Sequence, residues 1–108
     1  MKFGLDENTF NKINSVFEKY PEVEEVIIYG SRSKGNYRQG SDIDITIKGE
    51  HVTDKTLSKI AQDLDDLNTP YLFDISAYHS LTSEHLMHHI QRVGQVFYQK
   101  HNPSTFTK

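Results

Sequence analysis

Apolar residues recur along this chain with two periods. From Asp6 to Tyr20 they fall at Phe10, Ile13, Val16 and Phe17, steps of three and four that place one buried stripe on a helix. Asp6 or Asn8 can cap that helix, and Pro21 follows its end. Val23 to Tyr29 (VEEVIIY) is rich in β-formers and runs into Gly30, the pattern of a strand closed by a tight turn. Asp42 to Lys48 (DIDITIK) alternates strictly: Ile43, Ile45 and Ile47 point one way, Asp42, Asp44, Thr46 and Lys48 the other. Gly49 ends this second strand. Thr53 to Asn68 reads as a helix with Leu57, Ile60, Ala61, Leu64 and Leu67 on one side, stopped by Pro70. Tyr71 to Tyr78 (YLFDISAY) is a third strand, with Phe73, Ile75 and Ala77 on one face and Leu72, Asp74 and Ser76 on the other. Ser83 to Gln99 reads as a last helix, capped by Ser83, with Leu86, Ile90, Val93 and Phe97 as its stripe.

These elements predict an α+β fold: a small mixed three-stranded sheet with helices packed mainly on one face and the other face partly open. About a dozen residues join the first two strands, and the long helix between the second and third can serve as a crossover. One domain over residues 1–108 is expected, with a flexible tail at about 102–108. No internal repeat or low-complexity segment interrupts it.

Composition narrows the partners. A net charge of −3 and a pI near 6.0 argue against a general nucleic-acid or anionic-membrane binder. With no cysteine, disulfides and thiolate metal sites are excluded. No apolar run approaches the ~20 residues of a membrane span, and MKFGLDENTF lacks the apolar core of a signal peptide. A cytoplasmic protein is the expectation.

The chemistry concentrates in GSRSKGNYRQGSDIDITIKG, Gly30 to Gly49. Asp42 and Asp44 share a strand face, where their oxygens can converge on hard cations such as Mg²⁺, which takes a few carboxylates plus water and phosphate oxygens. Asp74, on the polar face of another strand, can complete a triad; a solvated strand surface is the alternative. Just upstream, Gly30 and Ser31 can open a short helix over Ser31–Lys34, whose free N–H groups make an anion site. Arg32, Lys34 and Arg38 add positive charge; a plain turn with solvated basic side chains is the alternative. Gly30-SRSK-Gly35 begins like a P-loop, but Asn36-Tyr37 replaces the required Lys-Ser/Thr, and the string is not G-x-G-x-x-G. The six histidines include His85, His88 and His89 on the last helix. They complete no H-E-x-x-H motif and read as surface or subunit-contact residues. Most tyrosines and phenylalanines read as core or its rim, and Asp63, Asp65 and Asp66 as a solvated face.

Taken together the loop and strand match G-S-x-x-x-G-x-x-x-x-x-S-D-x-D. At average residue usage these six fixed positions arise by chance at roughly 10⁻⁷ per start point. The chain resembles the polymerase-β-like nucleotidyltransferases and, more closely, the minimal nucleotidyltransferases (MNT) of prokaryotes, over essentially its whole length. The resemblance implies a metal-dependent nucleotidyltransferase that moves a nucleoside monophosphate, AMP from ATP, to a hydroxyl. Asp42, Asp44 and Asp74 would be its catalytic and metal-binding carboxylates, holding two Mg²⁺ ions. Gly30, Ser31, Arg32 and Ser41 would bind the nucleotide's phosphates. Lys34 stands where arginine is common in the family, which keeps the charge and loses the fork geometry. The implied partner is a HEPN-domain toxin modified on a tyrosine, this chain acting as its antitoxin. Two alternatives stay open: a non-catalytic module that masks the partner, and a nucleotidyltransferase for small molecules.

Overall fold

A computed structural model of the chain describes residues 3–30 and 42–100. The elements are α1 (Glu7–Glu18), β1 (Glu25–Tyr29), β2 (Ile43–Lys48), α2 (Asp54–Asp65), β3 (Phe73–Ala77), a short 3₁₀ turn (Tyr78–Ser80), α3 (Glu84–Val93) and β4 (Gln95–Gln99). Each α-helix starts at the polar residue its sequence offers. Asp6 accepts from the Thr9 N–H at 2.7 Å, Ser83 accepts from Leu86 at 3.2 Å, and Thr53 forms a reciprocal capping box with Thr56.

The strands form one four-stranded sheet in the order β3-β2-β1-β4. β1 runs antiparallel to both β2 and β4, while β2 and β3 are parallel, joined through α2. A parallel pair needs such a crossover, because a hairpin turn cannot return the chain to the same end of the sheet.

The α+β class is as expected, but the sheet has four strands and not three. The last helix stops at Gly94 and the chain continues as a strand. A Cβ at Gly94 would stand 2.4 Å from the Ile90 carbonyl oxygen and 2.6 Å from Ile27 Cγ2. The chain therefore turns against β1 where a side chain has no room. Beyond it, Val96-Phe97-Tyr98 are β-formers. Phe97 lies four residues after Val93 and so keeps the helical step past the end of the helix.

Ile43, Ile45 and Ile47 of β2 are all 1% exposed or less, and with Val26 and Ile28 they meet Ile13, Phe17, Ile60 and Leu64 of α1 and α2. Phe97 joins this core from β4, 4.8 Å from Phe10 and edge-on to Phe17. The tyrosine that ends the α1 turn ties the two helices together: the Tyr20 hydroxyl donates to Asp63, which also pairs with Lys19 at 3.3 Å. Asp63, expected as part of a solvated acidic face, is thus an anchor. That hydrogen bond is the main reason the Tyr20 phenol is pushed up to about 12. α3 covers the opposite face at β1, where Ile27 and Ile90 are buried outside the main core. The β2–β3 half of that opposite face carries the carboxylates.

Candidate active site

Pleating puts Asp44, Thr46 and Lys48 of β2 on the face away from the isoleucines. The parallel pairing sets Asp44 directly beside Asp74 and Thr46 beside Ser76. Neighbouring strands lie about 4.8 Å apart, so two carboxylates now stand side by side on adjacent strands. Asp42 and Asp74 are exposed and Asp44 is half-buried. Burial pushes the Asp44 carboxyl above the usual carboxylate range, and the charges of Asp74 and Asp42 push it the same way.

The other wall of Asp44 is Gly30. This residue ends β1 with φ of +90°, a conformation open to glycine, and an added Cβ would sit 2.5 Å from Asp44 Oδ2. The glycine therefore sets the chain's departure from β1 and leaves the space the carboxylate occupies. Ser31, Arg32 and Ser41, expected to bind phosphate, lie outside the described residues, as does the short helix expected over Ser31–Lys34.

Three residues of this face join the site without having been singled out as candidates from the sequence. Tyr29 is the register partner of Asp44, and its half-buried ring meets His89 of α3 edge-on at 6.3 Å. Burial raises its phenol, a hydrogen bond with Ser76 opposes this, and Asp74 and Asp44 add to the rise. Thr46 is fully buried although it lies on the polar face, and it accepts from the Ser76 hydroxyl at 3.1 Å. Tyr29, Thr46 and Ser76 thus form a polar shelf beneath the carboxylates. Alternation had placed Ser76 and Thr46 on this face. Their mutual contact depends on strand pairing, which alternation does not encode. Tyr29 looked like a core aromatic because it follows Val26-Ile27-Ile28.

Among the described residues, no three histidine, aspartate or glutamate side chains are gathered closely enough to hold an ion as they stand. The donor set nevertheless suits one. Asp42, Asp44 and Asp74 offer only hard oxygens, and Asp44 is a crowded, partly desolvated carboxyl whose repulsion a divalent cation would relieve. A cavity of about 460 Å³ opens beside them, lined by Asp42 and Asp74 and by residues of α2 and of the segment leading into β3. No helix among the described residues is long and apolar enough to cross a membrane.

The family model described as Polymerase beta, Nucleotidyltransferase matches residues 11–103. None of the curated proteins compared matches the chain. Among solved structures, the fold is similar to that of a toxin–antitoxin crystallised with AMP-PNP, at a TM-score of 0.67 and 21% identity over 94% of this chain and 80% of that one. It is similar to a complex of a tri-AMPylated Shewanella oneidensis HEPN toxin with its MNT antitoxin, at a TM-score of 0.65 and 18% identity over 94% and 79%. A putative nucleotidyltransferase from Sulfolobus solfataricus aligns at a TM-score of 0.53 and 18% identity over 90% and 92%. At these identities the likeness bears on the fold.

Proposed function

Because the chain belongs to the polymerase beta nucleotidyltransferase family, we propose that it transfers AMP from ATP to a tyrosine hydroxyl of a HEPN-domain toxin and thereby acts as the antitoxin. The observation that carries this reading is the Asp44–Asp74 pairing on adjacent strands, with Asp42 at the strand's start and Gly30 against Asp44. Further support comes from the similar folds found in a toxin–antitoxin with AMP-PNP and in a complex of an AMPylated HEPN toxin with its antitoxin.

Asp42, Asp44 and Asp74 would hold the Mg²⁺ ions. Bound there, the cations supply charge neutralisation for the triphosphate and for the oxygens of an in-line displacement. The chain's own residues do the rest. Gly30 admits the Asp44 carboxylate and, with Ser31, Arg32 and Ser41, binds the phosphates. Asp74, exposed at the cavity, takes the acceptor's proton. The acceptor oxygen then bonds to the α-phosphorus as the bond to the bridging oxygen breaks, and pyrophosphate leaves. The Tyr29–Ser76–Thr46 shelf fixes the floor on which both carboxylates stand.

The test is to incubate the protein with the protein encoded beside it, ATP and Mg²⁺, and measure the intact mass of both. A mass gain of one or more AMP on the neighbour, lost in Asp42→Asn/Asp44→Asn, is expected. An unmodified neighbour that is still silenced in a stable complex would replace this reading with the non-catalytic antitoxin.

A further inference from the structure

The sheet face that carries the carboxylates is ordered in rows. Tyr29, Asp44 and Asp74 stand in one row across β1, β2 and β3, and Ile27, Thr46 and Ser76 in the next. The Tyr29 phenol leaves its own row. It hydrogen-bonds the Ser76 hydroxyl, so it runs diagonally over β2 and joins two strands that are not neighbours. Two strand spacings, about 9.6 Å, separate β1 from β3. The direction of the bonds follows from the protons available. Ser76 spends its single proton on Thr46 Oγ1 at 3.1 Å, and Thr46 gives its own to the Ser76 carbonyl oxygen at 3.4 Å. The Ser76 hydroxyl oxygen therefore accepts from the phenol. Each of the three hydroxyl protons is used, and Thr46 at the centre is fully buried.

We propose that Tyr29 is a positioning residue: its phenol straps three strands together beneath the carboxylates and, by holding Asp44 and Asp74 at a fixed spacing, makes the site choose a small cation over a large one. The proposal rests on the reading of these carboxylates as cation ligands and adds to it the device that sets which ion they take. Like charges on adjacent strands push apart. Asp44 has little room to retreat. Tyr29 opposes it directly from β1, where paired residues hold their Cβ atoms about 4.5–5.5 Å apart. The Gly30 backbone is closer still, since an added Cβ there would come within 2.5 Å of Oδ2. The Tyr29 ring is itself held, half-buried, with His89 of α3 edge-on at 6.3 Å.

The two common divalent ions ask different things of such a pair. Mg²⁺ demands a near-octahedral shell at about 2.0–2.1 Å and takes one or two carboxylates plus water and phosphate oxygens. Ca²⁺ collects roughly six to eight oxygens at about 2.3–2.6 Å from groups that give way to it. Two carboxylates that cannot spread suit the first and deny the second its wider grip. Loosening the strap lets the pair spread, which weakens Mg²⁺ and leaves Ca²⁺ bound as before or more tightly. A residue that only kept the fold intact would weaken both ions alike. The ratio of the two affinities therefore reports positioning.

The test reads ion binding and needs no transfer. Mg²⁺ and Ca²⁺ are titrated separately into the full chain at constant ionic strength, and dissociation constants are read from the amide shifts of Asp44 and Asp74. The parent is expected to bind Mg²⁺ more tightly. Tyr29→Phe keeps the ring and loses the strap, and it is expected to lower the preference for Mg²⁺ over Ca²⁺ by about fivefold, the scale of one hydrogen bond. Ser76→Ala cuts the strap at its other end and is expected to do the same, so the result does not hang on one variant. Tyr20→Phe, which removes the hydroxyl that ties α1 to α2, is expected to lower the melting temperature and leave the preference alone. A parent that prefers Ca²⁺ or binds neither ion at these residues, a preference unmoved in both strap variants, or one moved as far by Tyr20→Phe would each overturn the proposal. The transfer experiment fails separately: an unlabelled neighbour alongside a preference that depends on Tyr29 would sink the activity and leave the strap standing.

Discussion

Replacing Gly30 with alanine separates a backbone cost from a functional one. The residue holds φ at +90°, and an L side chain in a left-handed conformation costs roughly 1–2 kcal/mol. The added Cβ would lie 2.5 Å from Asp44 Oδ2, about 0.9 Å inside the 3.4 Å at which ordinary contact begins. The atom it strikes is the end of a side chain, so rotation of the carboxyl relieves the clash with little further loss of stability. The position of that carboxyl is what changes. A displacement of about 1 Å at a reacting group costs on the order of 100-fold in rate. Gly30→Ala is therefore expected to lower unfolding free energy in urea by about 1–2 kcal/mol, and to lower AMP transfer by about two orders of magnitude at a temperature where the variant is fully folded. Stability lost with transfer kept within threefold of the parent would refute the claim that Gly30 sets the place of Asp44. Unchanged stability would refute the backbone argument.

Three further outcomes follow from the same structure. Asp44 is raised by burial and by its acidic neighbours, so the fold favours its protonated form; that contribution is full below the unfolded value of 3.8 and is lost as pH rises through the higher folded value. Asp44→Asn should accordingly melt higher than the parent at pH 7 in EDTA, a gain that disappears below about pH 4, while transfer is abolished; a lower melting temperature at pH 7 would contradict this. Mg²⁺ at ten times its dissociation constant should stabilise the parent by about 1.4 kcal/mol, roughly 5 °C in melting temperature, and Asp44→Asn should lose this response in the same scan. Phe97→Ala removes a ring that is 4% exposed and packed on Phe3, Phe10 and Phe17, so a loss of about 3–5 kcal/mol in urea is expected; a cost below 1 kcal/mol would mean that β4 is dispensable to the core.

The sequence made the carboxylate face legible because strand alternation is a local signal. The three isoleucines of β2 declare which side is buried, and Asp42 and Asp44 follow on the other. The same logic placed Asp74 opposite Phe73 and Ile75. Pairing is different. That Asp44 neighbours Asp74, and that Tyr29 sits on its other side, is a relation among distant segments that no window of the chain contains. β4 was missed for a local reason. Leu86, Ile90, Val93 and Phe97 keep the helical step across Gly94, and one glycine without a proline is a weak stop. What continues the chain as a strand is pairing with β1, and the close approach to Ile27 admits only a glycine at the turn, both tertiary facts. The cavity was hidden because Ala61 shares the period of the buried α2 positions Ile60 and Leu64 while facing open space.

The parallel pairing of β2 and β3 has a consequence for how this site can change. A strand's side chains obey parity. If β3 slid by one residue against β2, Asp74 would turn into the core, and Phe73 or Ile75 would take its place in water. A slip of two would restore the face but carry the carboxylate about 7 Å along the strand, away from Asp44. Neither neighbouring setting is useful, so the register acts as a lock with one working position. The segment from Asp66 to Leu72, which delivers the chain from α2 to β3, can absorb added or lost residues as slack only while that lock holds. Drift in length should therefore be tolerated in this connection and refused within the strands it joins.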